Sequence, residues 1–130
     1  MKPEIRERLL SAKRLFVDVD DTLCIWGNVN KHSDFLGEWD TNLPLARALG
    51  EWFDAQPDKD LRPQPVTIWS TGGDDYAKWM WKETGICELV KGVRQFESKW
   101  PRIPEPGDLF IDDDPLPSFA AATIHPREFE

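Results

Sequence analysis

Leu15-Phe16-Val17-Asp18-Val19-Asp20-Asp21-Thr22 sets a compact apolar run against a largely acidic one. A short apolar run fits a strand buried on both faces, as in a parallel sheet, and the acids then fall where that strand ends. The same change recurs twice along the chain. Val66-Thr67-Ile68-Trp69 ends on Ser70-Thr71-Gly72-Gly73, and Leu109-Phe110-Ile111 ends on Asp112-Asp113-Asp114-Pro115. Helical patterns lie between these runs. Leu45, Ala48, Leu49, Trp52 and Phe53 fall at i, i+3, i+4, i+7 and i+8, with Asn42 as N-cap and Pro44 in the first turn. Asp74 or Asp75 caps a second helix through Tyr76, Trp79 and Met80, which Gly85 closes at C′. Strands alternating with helices predict an α/β fold, a three-layer sandwich around a mainly parallel, Rossmann-like sheet.

The remaining segments fill in around this frame. Pro3 to Lys13 reads as a short helix with a weak stripe of Ile5, Leu9 and Leu10. Cys24 to Asp40 reads as a loop with a small hairpin, and Gln56 to Pro65 as a surface connection. A short strand is expected around Cys87 to Val90. Pro101, Pro104 and Pro106 exclude regular structure before the strand at Leu109. A turn of helix from Leu116 to Ala121 leads into a last strand at Ala122 to His125. Trp52, Trp69 and Trp79 are expected to face the core, while Trp26 and Trp39 lie in the loop after the first acidic run. His32 and His125 have no partners at metal-ligand spacing and read as surface or packing residues.

A length of 130 residues predicts a single domain, 1–130, large enough to bury a core without disulfides. No apolar run reaches membrane-spanning length, so no membrane partner is expected. The first ten residues mix charges of both signs, and a cytoplasmic location follows as the expectation. Cys24 and Cys87 have no metal or redox spacing and read as reduced packing residues. The net charge of −8 argues against a protein that grips nucleic acid by neutralising its backbone. Lys78, Lys82, Lys91, Arg94, Lys99 and Arg102 form a local exception, read mostly as a solvated face.

Parallel sheets bind ligands at the carboxyl ends of their strands, where the strand order reverses. Asp18, Asp20, Ser70, Asp112 and Asp113 would converge there. Several carboxylates in one place repel each other unless a cation lies between them, and hard oxygen donors with room for water and phosphate suit Mg²⁺. Any one of these clusters alone is usually just a turn or a helix cap.

Taken together, they carry a resemblance. FVDVDDTL, at Phe16 to Leu23, resembles the first motif of the haloacid dehalogenase (HAD) superfamily, a strand followed by D-x-D-x-T. IWST, Lys99 in ESKWP, and LFIDDDP resemble the second, third and fourth motifs, in the family's order and across most of the chain. The resemblance implies a magnesium-dependent phosphatase of phosphate monoesters. Asp18 would be the nucleophile that forms an aspartyl-phosphate, and Asp20 the acid and base. Ser70 would bond a phosphoryl oxygen, and Lys99 would offset negative charge. Thr22 would hold the turn and, with Thr71 and Gly72, border the substrate. Mg²⁺ would be held by Asp18, Asp112, Asp113 and the backbone carbonyl of Asp20. Lys91 competes for the third motif; Lys99 is preferred because it follows a small polar residue and precedes the proline-containing loop.

No sizeable cap fits between the motifs. The substrate class therefore stays open among small phosphate esters, phosphoproteins and nucleic-acid ends. Three alternatives remain: a phospho-receiver-like module, a catalytically silent phosphate-binding module, and a nucleic-acid end-processing phosphatase. The position of the lysine before the last acidic cluster, and the extra acid at Asp20, weigh against a receiver.

Overall fold

The structure is a computed structural model, and it describes residues 1–27, 39–56 and 65–130. Its centre is a five-stranded sheet in the order β5-β4-β1-β6-β7, and every neighbouring pair runs parallel. The strands are β1 (Arg14–Asp18), β4 (Val66–Ser70), β5 (Gln95–Ser98), β6 (Asp108–Ile111) and β7 (Thr123–Ile124). The chain builds outward from β1 to β4 and β5, then returns to lay β6 and β7 on the other side. The order therefore reverses at β1, where a parallel sheet opens a crevice at its carboxyl end. Register pairs Asp18 with Trp69 and Val17 with Ile111, so β1, β4 and β6 all end level with one another.

Alternation along β1 divides the core in two. Leu15 and Val17 join a large aliphatic cluster with Val66, Ile68, Leu109 and Ile111, covered by the helices. These are α1 (Pro3–Ser11), α2 (Leu43–Asp54), α3 (Asp74–Glu83) and the single turn α4 (Ile86–Leu89). Phe16 turns to the opposite face and joins Trp69, Phe110 and Phe119. The layer over that face is thin: a 3₁₀ helix at Pro117–Ala122 and the chain after β5, from which the Arg102 guanidinium sits 4.5 Å above the Phe16 ring. Helices, sheet and this thin layer make the expected three-layer α/β sandwich.

Most of the elements follow the expected local chemistry. Asn42 caps α2 by accepting from the backbone N–H of Leu45 at 3.2 Å, and Gly85 ends the α3 region at φ 75. The loop after β1 holds the small hairpin, β2 (Cys24–Trp26) paired antiparallel with β3 (Trp39–Thr41). His32 and most of the Gln56 to Pro65 connection lie outside the described residues.

Three expectations fail: a side-chain cap on α3, a strand around Cys87 to Val90 and a core position for Trp79. Gly73 is the N-cap of α3 with no side chain capping it, and Asp74 and Asp75 lie in the first turn instead, where the helix dipole favours their charge. The strand around Cys87 to Val90 is helix α4, because the left-handed Gly85 restarts a helical turn that buries Ile86. The strand that fills its place is β5, whose Gln95-Phe96-Glu97-Ser98 carries one apolar residue. As an edge strand, half-buried along most of its length, it needs no more. Trp79 does not face the core: α3 buries Ala77, Met80 and Trp81, at i, i+3 and i+4, and leaves Trp79 56% exposed.

Candidate active site

Asp18 is the last residue of β1, and Asp112 directly follows β6 on the neighbouring strand. Both side chains lie on the aromatic face, two residues beyond Phe16 and Phe110. Their carboxylates are nearly inaccessible, with Asp18 7% and Asp112 1% exposed. One oxygen each from Asp18, Asp112 and Asp113 falls within 4.8 Å of the others, close enough for a single cation. The side chain of Asp20 is turned elsewhere.

Lys99 follows β5 directly and closes the group from the far side of β4. Its ammonium lies 3.4 Å from Asp18 Oδ1 and also pairs with Asp112 Oδ2. Lys91, the competing lysine, is exposed. The backbone guides Lys99 inward, because its N–H donates to the Ser70 carbonyl at 2.8 Å and so continues the β4–β5 ladder by one residue. Burial disfavours the Lys99 charge, but the bond to Asp112 and the charges of Asp18 and Asp112 outweigh it, and its pKa is raised.

One ammonium does not balance three carboxylates. Burial, and then the charge of Asp112, push the Asp18 carboxyl up to about 8, with Lys99 pulling the other way. Burial and Asp112 also raise Asp113. The cluster is thus short of positive charge in the protein alone.

The remaining predicted residues line the same end of the sheet. Thr22 is fully buried and donates its hydroxyl to Asp18 Oδ2 at 3.2 Å, so it supports the Asp18 carboxylate from behind and is not placed to border a substrate. Ser70 is buried at the end of β4, and its Oγ accepts from the N–H of Gly72 at 3.0 Å. Thr71 and Gly72 are exposed just above it. A Cβ on Gly72 would stand 2.9 Å from the Tyr76 ring and 3.3 Å from Ser70 Oγ, so glycine lets the ring lie against this loop.

Asp20 sits in the tight turn after β1. The N–H groups of Thr22, Leu23 and Cys24 all converge on the Val19 carbonyl, and Asp21 takes a left-handed φ of 57. The Asp21 carboxylate accepts from the Trp26 N–H at 3.0 Å, which tethers the turn to β2. Asp20 Oδ1 receives the Tyr76 hydroxyl at 2.6 Å and the Trp26 indole N–H at 2.8 Å, with the Cys24 thiol at 3.9 Å. Burial, and then Asp20, push that thiol up to about 12, so it stays protonated.

Tyr76 did not stand out in the sequence as a site residue. It reads there as one more apolar position on a helix, and only its seat against Gly72 brings its hydroxyl to Asp20. Trp26 carried a signal, its place in the loop after the first acidic run. Trp26 borders a cavity of about 590 Å³ that is also lined by Asp21, Asp113, His125 and Arg127. The sequence matches no protein-family model, and no curated protein and no solved structure matches it.

Proposed function

We propose that this chain is a Mg²⁺-dependent phosphohydrolase that cleaves phosphate monoesters through an aspartyl-phosphate on Asp18, as its resemblance to the HAD superfamily implies. The observation that carries the reading is the Lys99 ammonium touching both Asp18 and Asp112, with Asp113 within reach of a shared cation. The donor set fits Mg²⁺: three hard carboxylate oxygens, two of the groups held above their ordinary pKa by burial and by the neighbouring charge of Asp112. Bound by Asp18, Asp112 and Asp113, the cation would supply charge neutralisation for the nucleophile and the phosphoryl oxygens.

The protein's own groups then divide the chemistry. Asp18 attacks phosphorus through a carboxylate oxygen, and the ester P–O bond breaks as Asp20 gives its proton to the leaving oxygen. In the second step a water oxygen attacks phosphorus while Asp20 takes a proton from that water. The bond from Asp18 to phosphorus breaks, phosphate leaves and the carboxylate is restored. Ser70, whose oxygen accepts from Gly72, donates its hydroxyl to a phosphoryl oxygen, and Lys99 offsets the phosphoryl charge. Thr22 keeps Asp18 in its rotamer. An acid and base held at Asp20, distinct from the nucleophile, favours this reading over a receiver, which has no need to protonate a leaving group.

The test is phosphate release from 4-nitrophenyl phosphate by wild type and Asp18→Asn, with Mg²⁺ or with a chelator. Metal-dependent release that the substitution removes supports the proposal. A folded protein that binds Mg²⁺ but releases no phosphate from aryl, alkyl, peptide or oligonucleotide esters overturns it.

A further inference from the structure

A carboxyl that acts as acid and base from a turn has to be aimed. The turn supplies little side-chain cover of its own: Asp20 is only half-buried. Two donors from separate elements meet it instead. The Tyr76 hydroxyl arrives from α3 at 2.6 Å and the Trp26 indole from β2 at 2.8 Å, and both take Oδ1.

Each donor is itself fixed. The Tyr76 ring lies against Gly72, where not even a methyl group would fit without displacing it. Trp26 is anchored through its main chain to Asp21 and through β2 to β3, with Trp26 paired to Trp39. An oxygen that accepts two hydrogen bonds cannot also carry a proton pointing at either donor. In the neutral acid, therefore, Oδ1 is the carbonyl oxygen and Oδ2 is the hydroxyl. The same two bonds hold when the group ionises, because a carboxylate oxygen accepts equally well.

We propose that Tyr76 and Trp26 are positioning residues: together they clamp Asp20 through Oδ1 and so assign Oδ2 as the oxygen that gives and takes the proton. This inference rests on the proposed phosphohydrolase reading and adds to it the two residues that aim its acid. Tyr76 also touches the Ser70–Gly72 loop, so one ring links the seat of the phosphoryl group to the seat of the leaving oxygen.

The test compares Tyr76→Phe and Trp26→Phe with wild type on two substrates. One, 4-nitrophenyl phosphate, has a leaving group that departs without a proton; the other, glycerol 2-phosphate, has an alkoxide that needs one. Misaimed acid catalysis is expected to lower kcat/KM on the alkyl ester by about 10- to 100-fold. On the aryl ester the loss of kcat/KM should stay under about threefold, because kcat/KM covers only the steps through release of the leaving group, before Asp20 acts as base on water. Equal losses of kcat/KM on the two esters, or no loss on either, overturn the clamp while leaving the phosphohydrolase reading intact. Wild type inactive on both esters counts against that reading instead. A second measurement is independent of turnover: in Asp20→Ala the Trp26 indole N–H resonance should shift and exchange faster with solvent. An unmoved resonance overturns the clamp, and thermal melts of each variant confirm that the comparison is made on folded protein.

Discussion

The two faces of the central sheet are built from different materials. One is aliphatic, deep and covered by all four helices; the other is four aromatic rings under a 3₁₀ helix and a proline-bracketed loop. On the thin face the rings stack closely, Phe110 on Phe119 at 4.4 Å between centroids and on Phe16 at 4.8 Å. Directly above them stand Asp18 and Asp112. Apolar burial and the carboxylate cluster thus lie on opposite sides of the same strands. The helix face buries apolar area, whereas the aromatic face is a floor of stacked rings on whose side Asp18 and Asp112 are held nearly dry, paired with Lys99.

Substitutions can break this comparison. The largest effect should come from the floor's cargo: Asp18→Asn is expected to lower turnover by about 10⁴-fold. It should not reduce stability, because the amide replaces a carboxyl whose charged form burial and Asp112 disfavour. Parallel thermal melts and kinetics check both halves. On the other face, Trp52 is fully buried in α2 and donates its indole N–H to the Ala12 carbonyl at 3.2 Å. Trp52→Ala should cost about 3–5 kcal/mol in a denaturant titration while leaving Mg²⁺ affinity of the remaining folded protein unchanged. A stable Trp52→Ala protein would mean the helix face is not where the stability lies.

A second group of experiments sharpens the contrast. Without a cation, Asp18 has a folded pKa of about 8 against an ordinary 3.8, and Asp113 is also raised. The folded state then binds more protons than the unfolded one between about pH 4 and pH 8. Stability must therefore fall as pH rises through that window. Lys99, also raised, keeps its contribution below its unfolded pKa and loses it only at higher pH, outside the window. Mg²⁺ competes with those protons, so its stabilisation should be several degrees of Tm at pH 8 and about nil at pH 5. Calorimetry with Mg²⁺ or chelator at the two pH values reads this directly; an equal shift at both would contradict the shared carboxylate site. The smallest effect is expected at Ile103, 85% exposed over the thin face, where Ile103→Ser should change stability by less than about 0.5 kcal/mol.

Much of this arrangement is legible in the residues alone. Apolar runs that stop on acids located β1 and β6 and put Asp18 and Asp112 at their ends, because a strand buried on both faces has no polar position until it emerges. The 3.6-residue spacing located α2, and Asn42 located its start. Resemblance to the third HAD motif, with a small polar residue before it and a proline-containing loop after it, singled out Lys99. Each of these signals is local: one residue's chemistry read against its near neighbours in sequence.

What the sequence left hidden depends on contacts between distant segments. Strand β5 was missed because an edge strand needs few apolar residues, and its partner, β4, is what makes it a strand. Trp79 and Trp81 are two positions apart on α3, and only the direction in which that helix meets the sheet decides that Trp81 is buried and Trp79 exposed. The clamp on Asp20 is the clearest case. Asp20, Trp26 and Tyr76 come from a turn, a hairpin strand and a helix, and no periodicity links them. Sequence determined what each group at the sheet's carboxyl end can do, since residue type sets what each can donate, accept or ionise. Tertiary structure decided which oxygen of Asp20 is held and which carboxylates share a charge, because hydrogen bonds and desolvation act over a few ångströms whatever the separation along the chain.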